Sequence, residues 1–290
     1  MPHNAPFPFS KIAILGPGLM GGSLLLALRE RYPQVARQVW ARRAASLEPV
    51  RNLADLATLD PVEAVRDCDC VILCTPIETM ASLAERFRPG LSPGVLVTDV
   101  GSVKGLVIDQ VAEVLGREID FFSSHPMAGS DQDGFDAAHS ELYEGAPCIL
   151  TPVQVNDLAA RQHQLTLFWE ALGMRIAVMD AQTHDAAVAM VSHLPHVAAA
   201  ALVNQVLETG ATAMQVTGSG WRDTTRVASG ATQLWTEILA ANHLAVSNAL
   251  EQFAARILEA SRIIRMRDTS RIETWLESAK QGRDAHLNDS

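Results

Sequence analysis

The chain has 290 residues, 48% of them hydrophobic and 19% charged, with a formal net charge of −10. That is ordinary globular composition, long enough for one large domain or two ordinary ones with real cores. It excludes several classes of partner: no Lys/Arg cluster tracks the phosphates of a nucleic acid, and no apolar run approaches the roughly 20 residues that span a bilayer. The N-terminus, MPHNAPFPFS, lacks the regions of a signal peptide and reads as a short lead-in. Cys68, Cys70 and Cys74 fall in or beside one apolar segment and, with Cys148, read as small core residues in a reducing, cytoplasmic compartment. CDCVILC lacks the turns and His partners of a zinc site, so no metal is expected.

In chain order, Lys11–Leu15 is a short apolar run that ends in Gly16-Pro17-Gly18-Leu19-Met20-Gly21, and a helical pattern follows to about Arg31. Strand, glycine turn and helix in that order predict dinucleotide binding. One glycine makes the tight turn, the next lets backbone approach a pyrophosphate, and the third lets helix pack on strand. A second strand is expected at Gln38–Ala41. The acidic residue that grips the ribose of NAD is missing at its end, where Arg42 and Arg43 stand. Two guanidiniums suit a 2′-phosphate, which favours NADP, with NAD as the alternative.

The alternation continues with strands at Asp69–Cys74, Val95–Asp99, Asp120–Ser124, Pro147–Leu150 and Arg175–Met179, with helices between most of them. Thr75-Pro76, Asp99/Ser102 and His125 follow or end three of these strands. They therefore belong to the carboxyl edge of a sheet, where such folds bind ligands. The stretch SSHPMAGSDQDG, Ser123 to Gly134, stops a strand at His125-Pro126 and would present an exposed imidazole at the mouth of the sheet. The fold class is therefore α/β: a doubly wound, Rossmann-type parallel sheet over residues 1–180.

Residues 181–290 read as helical. Ala181–Thr209 and Thr232–Arg267 carry helical periodicity, and Pro195 in Ser192-His193-Leu194-Pro195-His196 predicts a kink or break. A helix of about 36 residues is too long for its own chain to cover, which predicts a homodimer through these C-terminal helices. Between them, Gly218 to Arg226 is a polar, glycine-rich insertion of the kind that forms a ligand loop. Only a polar tail is expected after Arg267.

Taken together, GPGLMGGS, CTP (Cys74–Pro76), DVGSVKG (Asp99–Gly105), HPMAGS (His125–Ser130), SHLPH (Ser192–His196) and GWRDTTRVA (Gly220–Ala228) resemble the prephenate/arogenate dehydrogenase family. The resemblance runs from Lys11 to Arg267. It implies oxidation of a cyclohexadienol by hydride transfer to NAD(P), with loss of the ring carboxylate as CO2. It gives His125 the role of accepting the proton of the ring hydroxyl, which a neutral imidazole suits. Ser102 would support the same hydroxyl, Arg226 would hold a substrate carboxylate, His193 would line the substrate pocket, and Trp235 would lie near it. The sequence departs from the family at Ser130-Asp131, where relatives often carry Thr-Glu. Asp131 and Asp133 would favour the ammonium of arogenate over the ketone of prephenate, or else make Asx turns. The rivals are a β-hydroxyacid dehydrogenase or imine reductase, with a catalytic lysine or helix residue in the second domain, and a non-catalytic dinucleotide sensor. Neither needs His125.

Overall fold

Alternate residues of the first strand, β1 (Lys11–Leu15), face opposite sides of a sheet, and both sides are dry. Ile12 and Ile14 enter one apolar cluster, Ala13 and Leu15 the other. The same division splits Cys70 and Ile72 from Val71 and Leu73 in β4 (Cys70–Leu73), a strand buried throughout. The computed structural model describes residues 7–129, 132–208 and 210–288. The other strands are β2 (Ala36–Trp40), β3 (Leu56–Thr58), β5 (Leu96–Asp99), β6 (Asp120–Pro126), β7 (Pro147–Gln154) and β8 (Arg175–Val178). All eight form one sheet in the order β3-β2-β1-β4-β5-β6-β7-β8.

Helices cover both faces. α1 (Leu19–Arg31) lays Leu24, Leu25 and Leu28 on one cluster, with Leu165, Phe168 and Trp169 of α6 (Leu158–Ala171). On the opposite face lie α3 (Pro61–Val65), α4 (Ile77–Phe87) and α5 (Gly105–Leu115), with Leu83, Phe87, Val107 and Val111 inward; a four-residue α2 (Ala44–Leu47) follows β2. Truncating one of these fully buried leucines to alanine costs about 2–5 kcal/mol. The cysteines are free thiols; Cys68, Cys70 and Cys148 are buried and Cys74 half-buried.

The Rossmann-type sheet followed by helices is as expected, with differences in detail. The sheet is mixed: β1 to β6 run parallel, but β7 pairs antiparallel with β6, and β8 follows β7. β6 does not stop at His125. His125 pairs with Ile149 and Pro126 with Cys148, because the reversed β7 gives the strand a partner to its end. β3 is a three-residue strand that no run of apolar residues announces.

In the second half, α7 (Ala181–Val188) passes through a π turn, Ala189–His193, into α8 (Leu194–Glu208). Pro195 has no N–H to give, and the Leu194 N–H reaches back to the Ala189 carbonyl, the wide spacing of a π turn. Ala181–Glu208 is also long and apolar enough, by length and composition alone, to cross a membrane. Its alanines raise the mean hydropathy without forming the continuous run looked for in the sequence. The expected ligand loop is instead mostly helical: after α9 (Ala211–Met214) come α10 (Ser219–Thr225) and a 3-10 turn, Arg226–Ser229. The helix of about 36 residues is two, α11 (Thr232–Ala241) and α12 (His243–Arg265), parted at Asn242, and the tail forms a further helix, α13 (Thr269–Asn288). By contacts the chain divides into two units, Met1–His243 and Leu244–Ser290.

Candidate active site

The carboxyl ends of β1, β4, β5 and β6 open on one edge of the sheet, and the turns that follow them carry most of the expected site residues. Gly16 has φ +109, a left-handed conformation that favours glycine, and a Cβ there would stand 2.9 Å from the Cys74 carbonyl oxygen. Gly21 is tighter still, since its Cβ would fall 2.1 Å from the Gly16 carbonyl oxygen. Beside Gly18 a Cβ would meet nothing. Among the described residues no side chain caps the N-terminus of α1, so its first N–H groups, beginning at Leu19 and Met20, are left without an intrahelical or side-chain acceptor. Free donors at the positive end of a helix fit a pyrophosphate. Thr75, the next strand-end residue, has a buried hydroxyl with no hydrogen-bond partner among the described residues, and its methyl lies 3.1 Å from the Cβ position of Gly16. Pro76 follows, exposed, as the N-cap of α4. Arg42 and Arg43 are exposed just beyond β2 and make no ion pair among the described residues. These positions fit a dinucleotide.

Below this edge lies a buried charged cluster. The Lys104 ammonium, 0% exposed, donates to Asp99 Oδ2 (2.5 Å), Ser123 Oγ (2.9 Å) and the Ser124 carbonyl (2.7 Å). Asp99 also accepts from the Ser123 hydroxyl (2.5 Å) and the Gly101 N–H (2.8 Å), which fixes the turn that carries Ser102. Ser102 is half-buried, and no hydrogen bond joins it to His125 among the described residues.

His125 is not the exposed ring that the sequence suggests: it is 7% exposed. α7 folds back over the sheet edge, and His125 Nδ1 lies 2.8 Å from His184 Nε2. His184, fully buried, is 2.8 Å from Asp185 Oδ1 through its Nδ1. Asp185 in turn accepts from the Lys104 and Gly105 N–H groups (2.8 and 2.9 Å), anchoring α7 to the N-terminus of α5. Burial, then the charges of Lys104, His184 and His193, hold the His125 pKa well below its ordinary 6.5, so the ring is neutral at physiological pH. Nδ1 is engaged, and Nε2 has no partner among the described residues. Sequence reasoning missed His184 and Asp185; the signal available was an adjacent His-Asp pair one turn into α7.

His193, 1% exposed, ends the π turn. Its Nδ1 lies 3.2 Å from the Asn242 amide, which also donates to the Asp185 carbonyl (2.8 Å), and burial depresses its pKa to about 4. Trp235 stacks on His196, with ring centroids 3.5 Å apart, and meets His193 edge-on at 6.1 Å. Arg226 opens the 3-10 turn after α10, exposed and without an ion pair among the described residues. Asp133 is exposed, and Asp131 lies outside the described residues. The segment after them is strapped to α1. Phe135 packs so close that a Cβ on Gly22 would come within 2.7 Å of its ring, His139 N–H donates to Ser23 Oγ (3.1 Å), and the Tyr143 hydroxyl donates to the Met20 carbonyl (2.7 Å).

Comparison with known proteins agrees with this arrangement. Residues 28–178 match the family model described as prephenate dehydrogenase, nucleotide-binding domain, and residues 180–278 that described as prephenate dehydrogenase, dimerization domain. The cyclohexadienyl dehydrogenase of Zymomonas mobilis is 34% identical over 285 residues, 96% of either chain. Among solved structures, the prephenate dehydrogenase of Aquifex aeolicus in complex with hydroxyphenyl propionate and NAD+ superposes with a TM-score of 0.86 at 28% identity, covering 94% of this chain and 97% of its own. The arogenate dehydrogenase of Synechocystis does so at 0.81 and 30%, covering 95% and 99%. With both halves matched and a third of its residues identical to a full-length relative, the chain belongs to the prephenate dehydrogenase family.

Proposed function

We propose that the protein is an oxidoreductase that oxidatively decarboxylates prephenate, arogenate or both, with His125 as the general base. The observation that carries this reading is a neutral histidine at the carboxyl edge of the sheet, held by one nitrogen and without a partner at the other among the described residues. A nicotinamide dinucleotide held at the Gly16–Gly21 turn and the N-terminus of α1 would supply the acceptor for the hydride of the ring carbinol carbon. His125 Nε2 accepts a hydrogen bond and then the proton of the ring hydroxyl. The C–C electron pair of the departing carboxylate moves through the ring to that oxygen as CO2 leaves, and the oxygen takes the proton back from His125 to give the phenol. Ser102 supports the hydroxyl. Arg226 holds the side-chain carboxylate by a bidentate fork, since clamping the carboxylate that must leave would stabilise the ground state. His193 lines the substrate pocket. Asp133, with Asp131, favours the ammonium of arogenate.

The exposed Arg42 and Arg43 support NADP as the preferred cofactor. Exposed apolar side chains on α12 and α13, among them Phe253, Ile257, Leu258 and Leu276, support a homodimer through the C-terminal helices. We take residues 1–180 as the dinucleotide domain and 181–290 as the helical dimerisation and substrate domain, in a cytoplasmic enzyme with no nucleic-acid or membrane partner.

The test is a turnover assay of prephenate and arogenate, each with NAD and NADP, following the reduced cofactor by absorbance. His125→Asn should lower kcat by about 10²–10⁴-fold with little change in substrate affinity. No turnover by the unmodified protein, or full turnover by His125→Asn, would overturn the reading; a preference for NAD would remove the role given to Arg42 and Arg43.

A further inference from the structure

The contacts of His125 lead beyond the histidine itself. Its Nδ1 does not face the sheet edge; it meets a second imidazole 2.8 Å away, and that imidazole meets a carboxylate at 2.8 Å. The order of donors along this chain follows from elementary chemistry. An ionised carboxylate only accepts, so the proton on the His184 ring sits on Nδ1, facing Asp185. In neutral His184 the other nitrogen, Nε2, is then a lone pair. A lone pair at hydrogen-bond distance from His125 Nδ1 calls for a donor there, so His125 carries its proton on Nδ1. The nitrogen left over, His125 Nε2, is the one without a proton.

We infer that His184 and Asp185 are positioning residues that hold His125 in the tautomer able to act as a base, through the series Asp185–His184–His125. This rests on the role proposed above for His125 and extends it to two residues that touch no substrate. When the substrate O–H bond breaks, the proton forms the His125 Nε2–H bond, and the Nδ1–H bond to His184 stays intact. The direction is enforced from the far end. Asp185 cannot turn away, because its two oxygens also take the Lys104 and Gly105 N–H groups at the start of α5. The arrangement resembles in logic the carboxylate that sets the histidine tautomer in hydrolytic triads, with one more ring in the series.

Two measurements on the full-length protein test this. Long-range 15N–1H spectra of histidine-labelled protein at pH 7.5 read the tautomers directly, whatever the His125→Asn assay gives. His125 and His184 should both carry their proton on Nδ1. A proton on His125 Nε2, or a doubly protonated His184, would overturn the inference. In kinetics, His184→Leu should lower kcat by about 10- to 100-fold, the scale on which outer partners of a functional imidazole act, with KM within about threefold. His184→Gln, whose amide oxygen can still accept from His125 Nδ1, should recover most of that loss. An unchanged kcat in His184→Leu, or no recovery in His184→Gln while its dinucleotide affinity stays normal, would equally overturn it.

Discussion

Lys104 offers a demanding test of how the site edge is held. Its ammonium is fully buried and spends all three protons, on Asp99, Ser123 and the Ser124 carbonyl. Lys104→Met keeps most of the side-chain volume, so the cavity contribution is small. Among the described residues it leaves the Asp99 carboxylate, also fully buried, with only the Ser123 hydroxyl, the Gly101 N–H and a long contact to the Ser124 N–H at 3.4 Å. Removing one partner of a buried pair costs about 3–5 kcal/mol, because the other charge stays behind. Adding Asp99→Asn removes that charge and should restore more than half of the loss, a coupling of about 1.5 kcal/mol or more. Urea unfolding at pH 7 and one fixed protomer concentration measures this, since the stability of an oligomer depends on concentration. A single-mutant loss below about 1 kcal/mol, or a double mutant that loses the full sum of both changes, would refute the reasoning.

Gly21→Ala should lower dinucleotide affinity at least about tenfold in a fluorescence titration, since its methyl cannot coexist with the Gly16 carbonyl 2.1 Å away; unchanged affinity would show that the turn is not built as described. Acid should destabilise the protein early. The native pKa values of His125 and His193 lie below 6.5, so below that pH the unfolded chain binds protons that the native state refuses. Stability is then full above pH 6.5 and falls by up to about 1.4 kcal/mol per pH unit for each ring as the pH drops towards 4, whereas equal stability at pH 7 and pH 5 would contradict their neutral burial.

What could be read from the sequence was whatever is encoded locally. The glycine turn between β1 and α1 announces itself because its pattern is local: Gly16 takes a positive φ, and Gly21 sits against the Gly16 carbonyl five residues back. The buried strands are legible because both faces of a central strand are apolar. His125 is legible because a proline and a turn follow it. His184 is not: it lies 59 residues away, and only the fold brings it over the strand end. The buried state of His125 was missed for the same reason. The break at Asn242 escapes periodicity because the helical pattern continues through it, while the side chain that marks it is spent on His193 and the Asp185 carbonyl. α13 was legible and overlooked: Ile272, Trp275 and Leu276 stand at helical spacing within the polar tail. The conformation at Arg226 has no local signature, since GSGWRDTTR reads equally as loop or short helix.

The π turn at Ala189–His193 makes the second half of the site a matter of angular phase. Nine residues separate His184 from His193, and at about 100° each they would complete two and a half turns and leave the two rings on opposite faces. The wide turn takes in one residue more than an α turn and rotates everything after it back by about 100°. His193 thereby swings towards the side of the helix where Asn242, bonded to the Asp185 carbonyl, meets it, and His196 follows onto Trp235. Losing a single residue between Ala189 and Val191 would shorten the helix by only about 1.5 Å, yet it would point both rings elsewhere. In this segment the number of residues carries more meaning than their identity.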